Sequence, residues 1–149
     1  MIGLLQRVTR GSVRVGDSTV AAISVGLVVL VGVERGDAQP QAARLVERLL
    51  NYRVFADDQG RMNRSLRDTG GGLLLIPQFT LVADTQSGNR PGFSGAAEPA
   101  TAERLFQCVL AEAEAQYANV ASGVFGADMD VELVNQGPVT FSLRVAPGA

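Results

Sequence analysis

The 149-residue chain contains no histidine, and this absence restricts its chemistry more than any other feature of its composition. Histidine is the usual general base near neutral pH, a frequent zinc ligand and the residue that activates serine and cysteine nucleophiles. The side chains left for catalysis are carboxylates, Thr, Ser, Tyr, Arg and one Cys, together with backbone groups. We therefore predict that the protein uses no metal and no other cofactor.

Cysteine and long apolar runs are also scarce. The one cysteine, Cys108, cannot form an internal disulfide, and its helical pattern predicts a small core residue. The longest apolar run, residues 26–33, is far shorter than the roughly 20 residues that a membrane-spanning helix requires. The first residues lack the basic and then apolar pattern of a signal peptide. These features predict a cytoplasmic protein that does not enter a membrane.

Lysine is absent too, so all 13 basic residues are arginine. Arginine suits bidentate phosphate contacts better than lysine does, but its exclusive use can equally reflect genomic base composition. Residues 1–67 contain ten Arg and six acidic residues (net +4), and residues 68–149 contain three Arg and nine acidic residues (net −6). The total of −2 argues against a strongly basic nucleic-acid binder.

The spacing of apolar and turn residues predicts a single α+β domain over residues 1–149. Its sheet is expected to be mainly antiparallel or mixed, or a partial barrel, with two main helices. The Val-rich run at residues 26–33 predicts a central strand buried on both faces, and apolar stripes predict helices at residues 41–50 and about 98–117. Shorter strands are predicted at residues 4–8, 12–15, 19–23, 53–55, 73–82, 131–134 and 141–145.

The strand predicted at residues 73–82 contains a polar pair. Alternation along a strand places Gln78 and Thr80 on one face, with Phe79 and Leu81 on the other. Two interpretations remain open. The polar pair can face water at a sheet edge, or it can line a pocket in which the backbone N–H groups of Phe79 and Thr80 stabilise an oxyanion.

The motif Asn135-Gln136-Gly137-Pro138-Val139-Thr140 lies between the last two predicted strands. Pro138 cannot donate to a sheet ladder, so the strand pattern is expected to break there. One interpretation is a turn between two strands, because Gly and Pro are common turn residues. The other is a functional surface: in a cis peptide, the carbonyl oxygens of Gly137 and Pro138 can point to the same side as two fixed acceptors.

Two segments outside these motifs also contain charged or aromatic residues. Residues 61–67 include three arginines and predict a solvated, irregular basic segment. Residues 84–95 predict a loop that is long enough to be functional or mobile.

Gln78-Phe79-Thr80-Leu81 followed by residues 135–140 resembles the paired motifs of the D-aminoacyl-tRNA deacylases. Neither motif is specific alone, but both in this order and spacing, in a chain of this length, are specific together. One position departs from the family, because Pro77 stands where members commonly have Ser. Proline lacks the hydroxyl and the backbone N–H, so no catalytic role is assigned to residue 77. The similarity extends to residues 5–8, 26–33, 53–55, 62–63, 90–93 and 125–129.

The resemblance implies a homodimer in which the cis Gly137-Pro138 peptide of each subunit projects into its partner's active site. The implied reaction is hydrolysis of the ester that joins a D-amino acid, or mischarged glycine, to the 3′-terminal ribose of tRNA. This is chiral proofreading, in which the carbonyls of Gly137 and Pro138 capture the substrate amine and exclude an L side chain. Arg7 resembles the family arginine that packs near this motif, and Met129 is assigned to the substrate site.

Catalysis is expected at Gln78, Phe79 and Thr80. Thr80 matches a residue proposed as the nucleophile, but the sequence offers it no base. Our hypothesis is that a positioned water hydrolyses the ester, helped by the substrate's 2′-hydroxyl and by the N–H groups of residues 79 and 80. Arg90 and Phe93 are candidate contacts to a phosphate and to the terminal adenine, or else a loop charge and a loop anchor. A different class of function remains: a non-catalytic dimer of this fold that binds RNA or a small ligand.

Overall fold

The computed structural model of the chain describes residues 1–148. A short 3₁₀ helix spans Phe79–Val82. The α-helices are α1 (Gln39–Asn51), α2 (Leu66–Thr69) and α3 (Pro99–Gln116). The strands are β1 (Ile2–Val15), β2 (Ser18–Ile23), β3 (Gly26–Gly32), β4 (Phe55–Ala56), β5 (Met62–Arg64), β6 (Gly72–Pro77), β7 (Val120–Ser122) and β8 (Asp130–Arg144).

Six of the strands form one mixed sheet, and β4 and β5 form a separate antiparallel ribbon. In the sheet, β1 pairs antiparallel with β2, β3 and β8, whereas β6 pairs parallel with β3 and β7. The sheet curls until Ile23 of β2 packs against Gly72 of β6, which nearly closes it. The predicted α+β fold, with a mixed sheet or partial barrel and two main helices, is therefore confirmed.

The central strand is β3, which lies between β1 and β6 and is buried along almost its whole length. Its side chains alternate between two cores, as the period of a strand requires. Leu27 and Val29 pack in the cluster that contains the apolar faces of α1 and α3. Val28 instead joins Val8 and Leu74 inside the curl of the sheet. The prediction from the Val-rich run is confirmed.

The helices α1 and α3 cover the outer face of this central region. Each begins with a proline in its first turn, Pro40 and Pro99, where the missing backbone N–H removes no helical hydrogen bond. The predicted apolar stripes are buried, with Leu45 on α1 and Phe106 on α3 fully enclosed. Within residues 1–148, no helix is both long and apolar enough to cross a membrane.

Two local predictions are wrong, and one short strand was not predicted. The strands predicted at residues 4–8 and 12–15 are one strand, β1, because β8 pairs with both of its halves. On the opposite edge, β3 pairs with the first half of β1 and β2 pairs with the second half. Residues 61–67 are not irregular: they form β5 and the start of α2, where the Ser65 side chain accepts the N–H of Asp68 as an N-cap. The short strand β7 was not predicted, since three residues carry too little periodicity.

A close contact between two glycines joins β3 to β6. A Cβ added to Gly26 would lie 2.0 Å from the carbonyl oxygen and 2.6 Å from the nitrogen of Gly72, and neither backbone atom can move aside. We expect Gly26→Ala to lower the free energy of unfolding by about 3 kcal/mol or more, the upper end for overpacking. Urea denaturation measures this loss. Gly92→Ala is the control, because its Cβ would make only ordinary contacts; equal stability of the two variants would contradict the prediction.

Candidate active site

The segment after β6 turns away from the sheet instead of continuing as a strand. The N–H of Gln78 still donates to the Val31 carbonyl at 2.8 Å, and the chain then closes a 3₁₀ turn through Leu81 N–H to the Gln78 carbonyl at 3.2 Å. The prediction of a strand through residues 78–82 is therefore wrong. Gln78 and Thr80 come together through the turn and not through strand alternation, and the Gln78 side-chain amide donates to the Thr80 hydroxyl oxygen.

The first two N–H groups of this 3₁₀ helix have no acceptor among the described residues. The bonds of the turn begin at Leu81, so the N–H groups of Phe79 and Thr80 remain free, as expected for a helix N-terminus. Thr80 is exposed, and its oxygen already accepts a hydrogen bond. The arrangement thus offers two backbone donors and one hydroxyl donor on the same turn, which can stabilise negative charge on an oxygen.

An exposed aromatic pair borders this turn. The Phe79 side chain is 61% exposed and the Phe93 side chain 38% exposed, with ring centroids 5.2 Å apart. Phe93 belongs to the loop that the sequence singled out, and an isolated antiparallel bridge between Asp84 and Gly92 holds that loop. Arg90 is exposed on the same loop. The two rings therefore present an exposed aromatic surface beside the turn.

A pocket of about 450 Å³ opens beside Gln78 and Phe79. Its walls are mostly apolar, as is usual in small-molecule sites. The predicted residue Met129 lies in the wall, and the sulfur of Met129 accepts the N–H of Val124 at 3.4 Å. The remaining wall comes from Ile76, Pro77, Ala96, Ala97, Pro99, Ala102, Phe125, Gly126, Ala127, Asp128 and Val131.

The Gly-Pro motif forms a bulge on β8. Gln6 of β1 pairs with Thr140 and Val8 pairs with Asn135, so residues 136–139 stand opposite a single residue of β1. The two flanking segments pair with β1 and not with each other, and a simple turn between two strands is therefore the wrong interpretation. The peptide bond between residues 137 and 138 is cis, the isomer that the resemblance implied.

Side-chain hydrogen bonds fix the base of this bulge. The Asn135 side chain accepts the Val139 N–H at 2.8 Å and donates to the Thr140 hydroxyl at 2.8 Å. On the other side, the Arg7 guanidinium donates through Nε to the Gln136 carbonyl at 3.1 Å. Arg7 therefore lies beside the motif, and Gly137 and Pro138 remain exposed at its tip.

Within the chain, the bulge and the pocket are far apart. Arg7, beside the bulge, pairs with Leu27 on β3, whereas Gln78 binds the carbonyl of Val31, four residues further along that strand. Four residues of strand span about 13 Å. The pocket residue Val131 and the base of the bulge at residue 135 are separated by the same distance along β8. The predicted site residues thus form two groups in one chain.

Comparison with known proteins shows which family the chain belongs to. The model of the D-Tyr-tRNA(Tyr) deacylase family matches residues 4–144. The chain belongs to the D-Tyr-tRNA(Tyr) deacylase family. This membership confirms the resemblance and the enzyme class predicted from the sequence: the chain is a hydrolase that deacylates D-aminoacyl-tRNA. The roles of individual residues stay predictions.

Individual proteins are similar to this chain over nearly their full length. A D-aminoacyl-tRNA deacylase from Pseudomonas putida is 60% identical over 145 residues, which are 97% of this chain and 100% of that protein. One from Nitrosococcus oceani is 56% identical over 147 residues, which are 99% of this chain and 95% of that protein. A solved structure described as c-Myc DNA Unwinding Element Binding Protein has a TM-score of 0.94 and 36% identity, covering 98% of this chain and 99% of its own.

Sequence reasoning missed two parts of this region. One side of the pocket is formed by Ala96, Ala97 and the first turn of α3, and its lining residues have no polar side chain that would mark a site. The only usable indication in the sequence was the cluster of small residues before the helix. The hydrogen bonds of Asn135 were also missed, although its place at the start of the Gly-Pro motif was a usable signal, since Asn side chains often bond to nearby backbone.

Proposed function

We propose that two copies of the chain form a chiral proofreading enzyme with composite active sites. Each site hydrolyses the ester of a D-aminoacyl-tRNA, or of mischarged glycyl-tRNA, at the 3′-terminal ribose. The pocket and the 3₁₀ turn of one subunit provide the reaction site, and the Gly137-Pro138 bulge of the partner covers it. The observation that carries this proposal is the separation of the two groups by about 13 Å or more in one chain.

A second copy also accounts for the surface of β8. Its outer edge is unpaired among the described residues, and Val131, Val134 and Phe141 are exposed on it. A long exposed edge strand with apolar side chains invites association and is normally covered. A homodimer that buries β8 would cover this edge and bring each bulge to the other subunit.

The bulge is suited to selecting chirality by shape. The carbonyl oxygens of Gly137 and Pro138 are acceptors for the substrate ammonium group, and this wall has no flexible side chain that could move to admit an L substituent. Rejection then follows from a steric clash with a rigid backbone. Arg7 and Asn135 hold the wall in place through the hydrogen bonds at its base. Glycine, which has no side chain, passes the same filter.

The chemistry itself needs little from side chains. An aminoacyl ester is already reactive, so the enzyme has to position a water, the ester and the adenosine 2′-hydroxyl. The free N–H groups of Phe79 and Thr80 stabilise the oxyanion, and the Thr80 hydroxyl adds a third donor. Phe93 stacks on the terminal adenine together with Phe79, and Arg90 contacts a phosphate. We also propose a cytoplasmic location, because charged tRNA is the substrate.

The deciding experiment follows the release of labelled amino acid from D-tyrosyl-tRNA and L-tyrosyl-tRNA with time. We expect rapid hydrolysis of the D form and rates near the spontaneous rate for the L form. Equal rates of hydrolysis for both forms would contradict the proposed selection for the D form. No enzymatic rate for either would favour the second candidate, a non-catalytic nucleic-acid-binding dimer, which is suggested by the name of the 36% identical c-Myc DNA Unwinding Element Binding Protein.

Activity is expected to survive exhaustive treatment with EDTA. The proposed donors are two backbone N–H groups, a hydroxyl and an amide, and none of these is a strong ligand for zinc or other transition metals. Deacylation of D-tyrosyl-tRNA is measured before and after chelation, on enzyme dialysed against metal-free buffer. Loss of activity with EDTA and its return with added Zn²⁺ would contradict the prediction.

A further inference from the structure

The ribbon of β4 and β5 lies next to the Gly-Pro bulge. One guanidinium group joins them: Arg7 donates through Nε to the Gln136 carbonyl at 3.1 Å and through Nη1 to the Val54 carbonyl at 2.7 Å. Val54 follows Arg53 directly, and Arg64 stands opposite Phe55 in the ribbon. The bulge, Arg53 just before the ribbon and Arg64 within it therefore occupy neighbouring positions on the surface.

Arg53 and Arg64 are exposed, and neither forms an ion pair within residues 1–148. They belong to the more basic part of the chain, residues 1–67, in which Arg7 is the one arginine that the proposed function uses. Exposed arginines without carboxylate partners are available for an anionic ligand from outside the chain.

Two nearby acidic side chains, Asp57 and Asp68, form local hydrogen bonds and no ion pair with these arginines. Asp57 accepts three hydrogen bonds, from the Asn63 side chain at 2.9 Å and from the N–H groups of Gln59 at 2.9 Å and Arg61 at 3.0 Å. These bonds hold the pKa of the Asp57 carboxyl below its usual value, and the bond from Asn63 has the largest effect. This carboxylate therefore fixes the turn between β4 and β5.

Asp68 has a similar role at the start of α2. Its carboxylate accepts the Ser65 N–H at 2.8 Å, and the pKa of this carboxyl is lowered first by the Ser65 backbone and, to a smaller extent, by the charges of Arg64 and Arg53. Arg64 directly precedes Ser65, the N-cap residue of α2, and therefore lies beside this turn. The same local hydrogen bonds make the ribbon a fixed support for the two arginines.

We infer that Arg53 and Arg64 bind the phosphodiester backbone of the tRNA 3′ strand just before its terminal adenosine. This inference rests on the proposed function. In the dimer, the bulge of one subunit covers its partner's pocket, so the ribbon beside that bulge stands at the rim over which the single-stranded end must pass. Guanidinium groups form strong, often bidentate contacts with phosphate oxygens, and contacts of this kind position an RNA end without reading its sequence.

The test compares two substrates that share the scissile ester. D-Tyrosyl-tRNA carries the phosphates, whereas D-tyrosyl-adenosine has none. For the double variant Arg53→Gln/Arg64→Gln, we expect KM for D-tyrosyl-tRNA to rise roughly tenfold for each arginine, as for hydrogen bonds to charged groups. We expect kcat to stay unchanged, and the hydrolysis rate of D-tyrosyl-adenosine to equal that of the wild type.

Salt dependence and direct binding give a second readout. Each phosphate contact to a single strand contributes about −0.7 to the slope of log affinity against log salt concentration. The ligand is an RNA hairpin that ends in single-stranded CCA and carries no amino acid. Fluorescence anisotropy should show a slope of log affinity against log salt concentration that is about 1.4 less negative for the double variant. Arg104→Gln is the control, because Arg104 is exposed, forms no ion pair within residues 1–148 and lies about 200° around α3 from the pocket residue Ala102.

The outcomes separate this inference from the proposed function. Wild-type KM and salt slope in the double variant would overturn the phosphate contact while the deacylase remained intact. An equal loss on D-tyrosyl-adenosine would also overturn it, because that substrate has no phosphate to lose. If the wild-type enzyme hydrolysed neither of the two substrates, the proposed function would be overturned, and the inference with it.

Discussion

Replacing the 2′-hydroxyl of the terminal adenosine with hydrogen is expected to slow the hydrolysis of D-tyrosyl-tRNA by a factor on the order of 10³, within the range of general acid–base catalysis. Thr80→Val, which keeps the shape of the side chain and removes its hydroxyl, should slow it only about tenfold, the effect of one hydrogen bond. The substrate's 2′-hydroxyl is thus expected to contribute more to the rate of hydrolysis than the Thr80 hydroxyl does.

The ranking follows from the surroundings of Thr80. A nucleophilic hydroxyl needs a neighbouring base to take its proton. The partner that the structure gives Thr80 is the Nε2 atom of Gln78, which donates to the hydroxyl oxygen; an amide nitrogen cannot accept the hydroxyl proton. The chain has no histidine that could act as the base instead. Thr80 is therefore equipped to donate to a developing oxyanion and poorly equipped to attack the ester.

Single-turnover hydrolysis with excess enzyme measures the chemical step for both changes. The substrates are D-tyrosyl-tRNA ending in adenosine or in 2′-deoxyadenosine, with the amino acid on the 3′ oxygen in each case. Binding of the two tRNAs is compared separately, so that a loss of affinity is not mistaken for a loss of rate. If Thr80→Val proved the more damaging change, Thr80 would be reinstated as the nucleophile.

Elements with strong local periodicity were predictable from the sequence. The Val-rich run of β3 and the apolar stripes of α1 and α3 each specify a buried surface, and each lies where it was predicted. The wrong predictions occur where long-range pairing decides the structure. β1 reads as two short strands because its two halves have different partners on one edge, and no local pattern records the continuous ladder to β8.

Candidate site residues could be nominated from the sequence, but their geometry could not be predicted. The motif at residues 78–81 satisfies the alternation of a strand, yet β6 ends at Pro77 and the chain turns into a 3₁₀ helix. This turn leaves the N–H groups of Phe79 and Thr80 free, which a ladder would have consumed. The separation of this turn from the Gly-Pro bulge depends on strand register, which a single sequence does not reveal.

Gly137→Ala is expected to reduce kcat/KM for D-tyrosyl-tRNA by about 100-fold, as when a reacting group is displaced by roughly 1 Å. Gly137 has a φ of +135°, which L side chains rarely adopt. An added Cβ would lie 2.7 Å from Cγ2 of Val139 and 3.2 Å from Nη2 of Arg7. Relief of these contacts must move the carbonyls of the bulge or break the Arg7 hydrogen bond. The bulge is exposed, so the fold should survive.

Gly16→Ala is the matched control for the cost of a positive φ. Gly16 has a φ of +58°, nothing lies within 4 Å of its added Cβ, and it lies in the turn between β1 and β2. Circular dichroism and urea denaturation should show both variants folded, and only Gly137→Ala should lose deacylation. Full activity of Gly137→Ala on D-tyrosyl-tRNA would remove Gly137 from the site.

Mixing subunits tests whether the bulge acts on its partner. Phe79→Pro removes the ring and one free N–H, at a helix-start position that proline tolerates, and it should inactivate the reaction side of the site. Neither this variant nor Gly137→Ala is expected to be active alone. In a heterodimer, one of the two composite sites combines the unaltered turn with the unaltered bulge, so a randomly assembled equal mixture should regain about a quarter of wild-type activity. If each bulge served its own subunit, every site in the mixture would carry a defect and no activity would return.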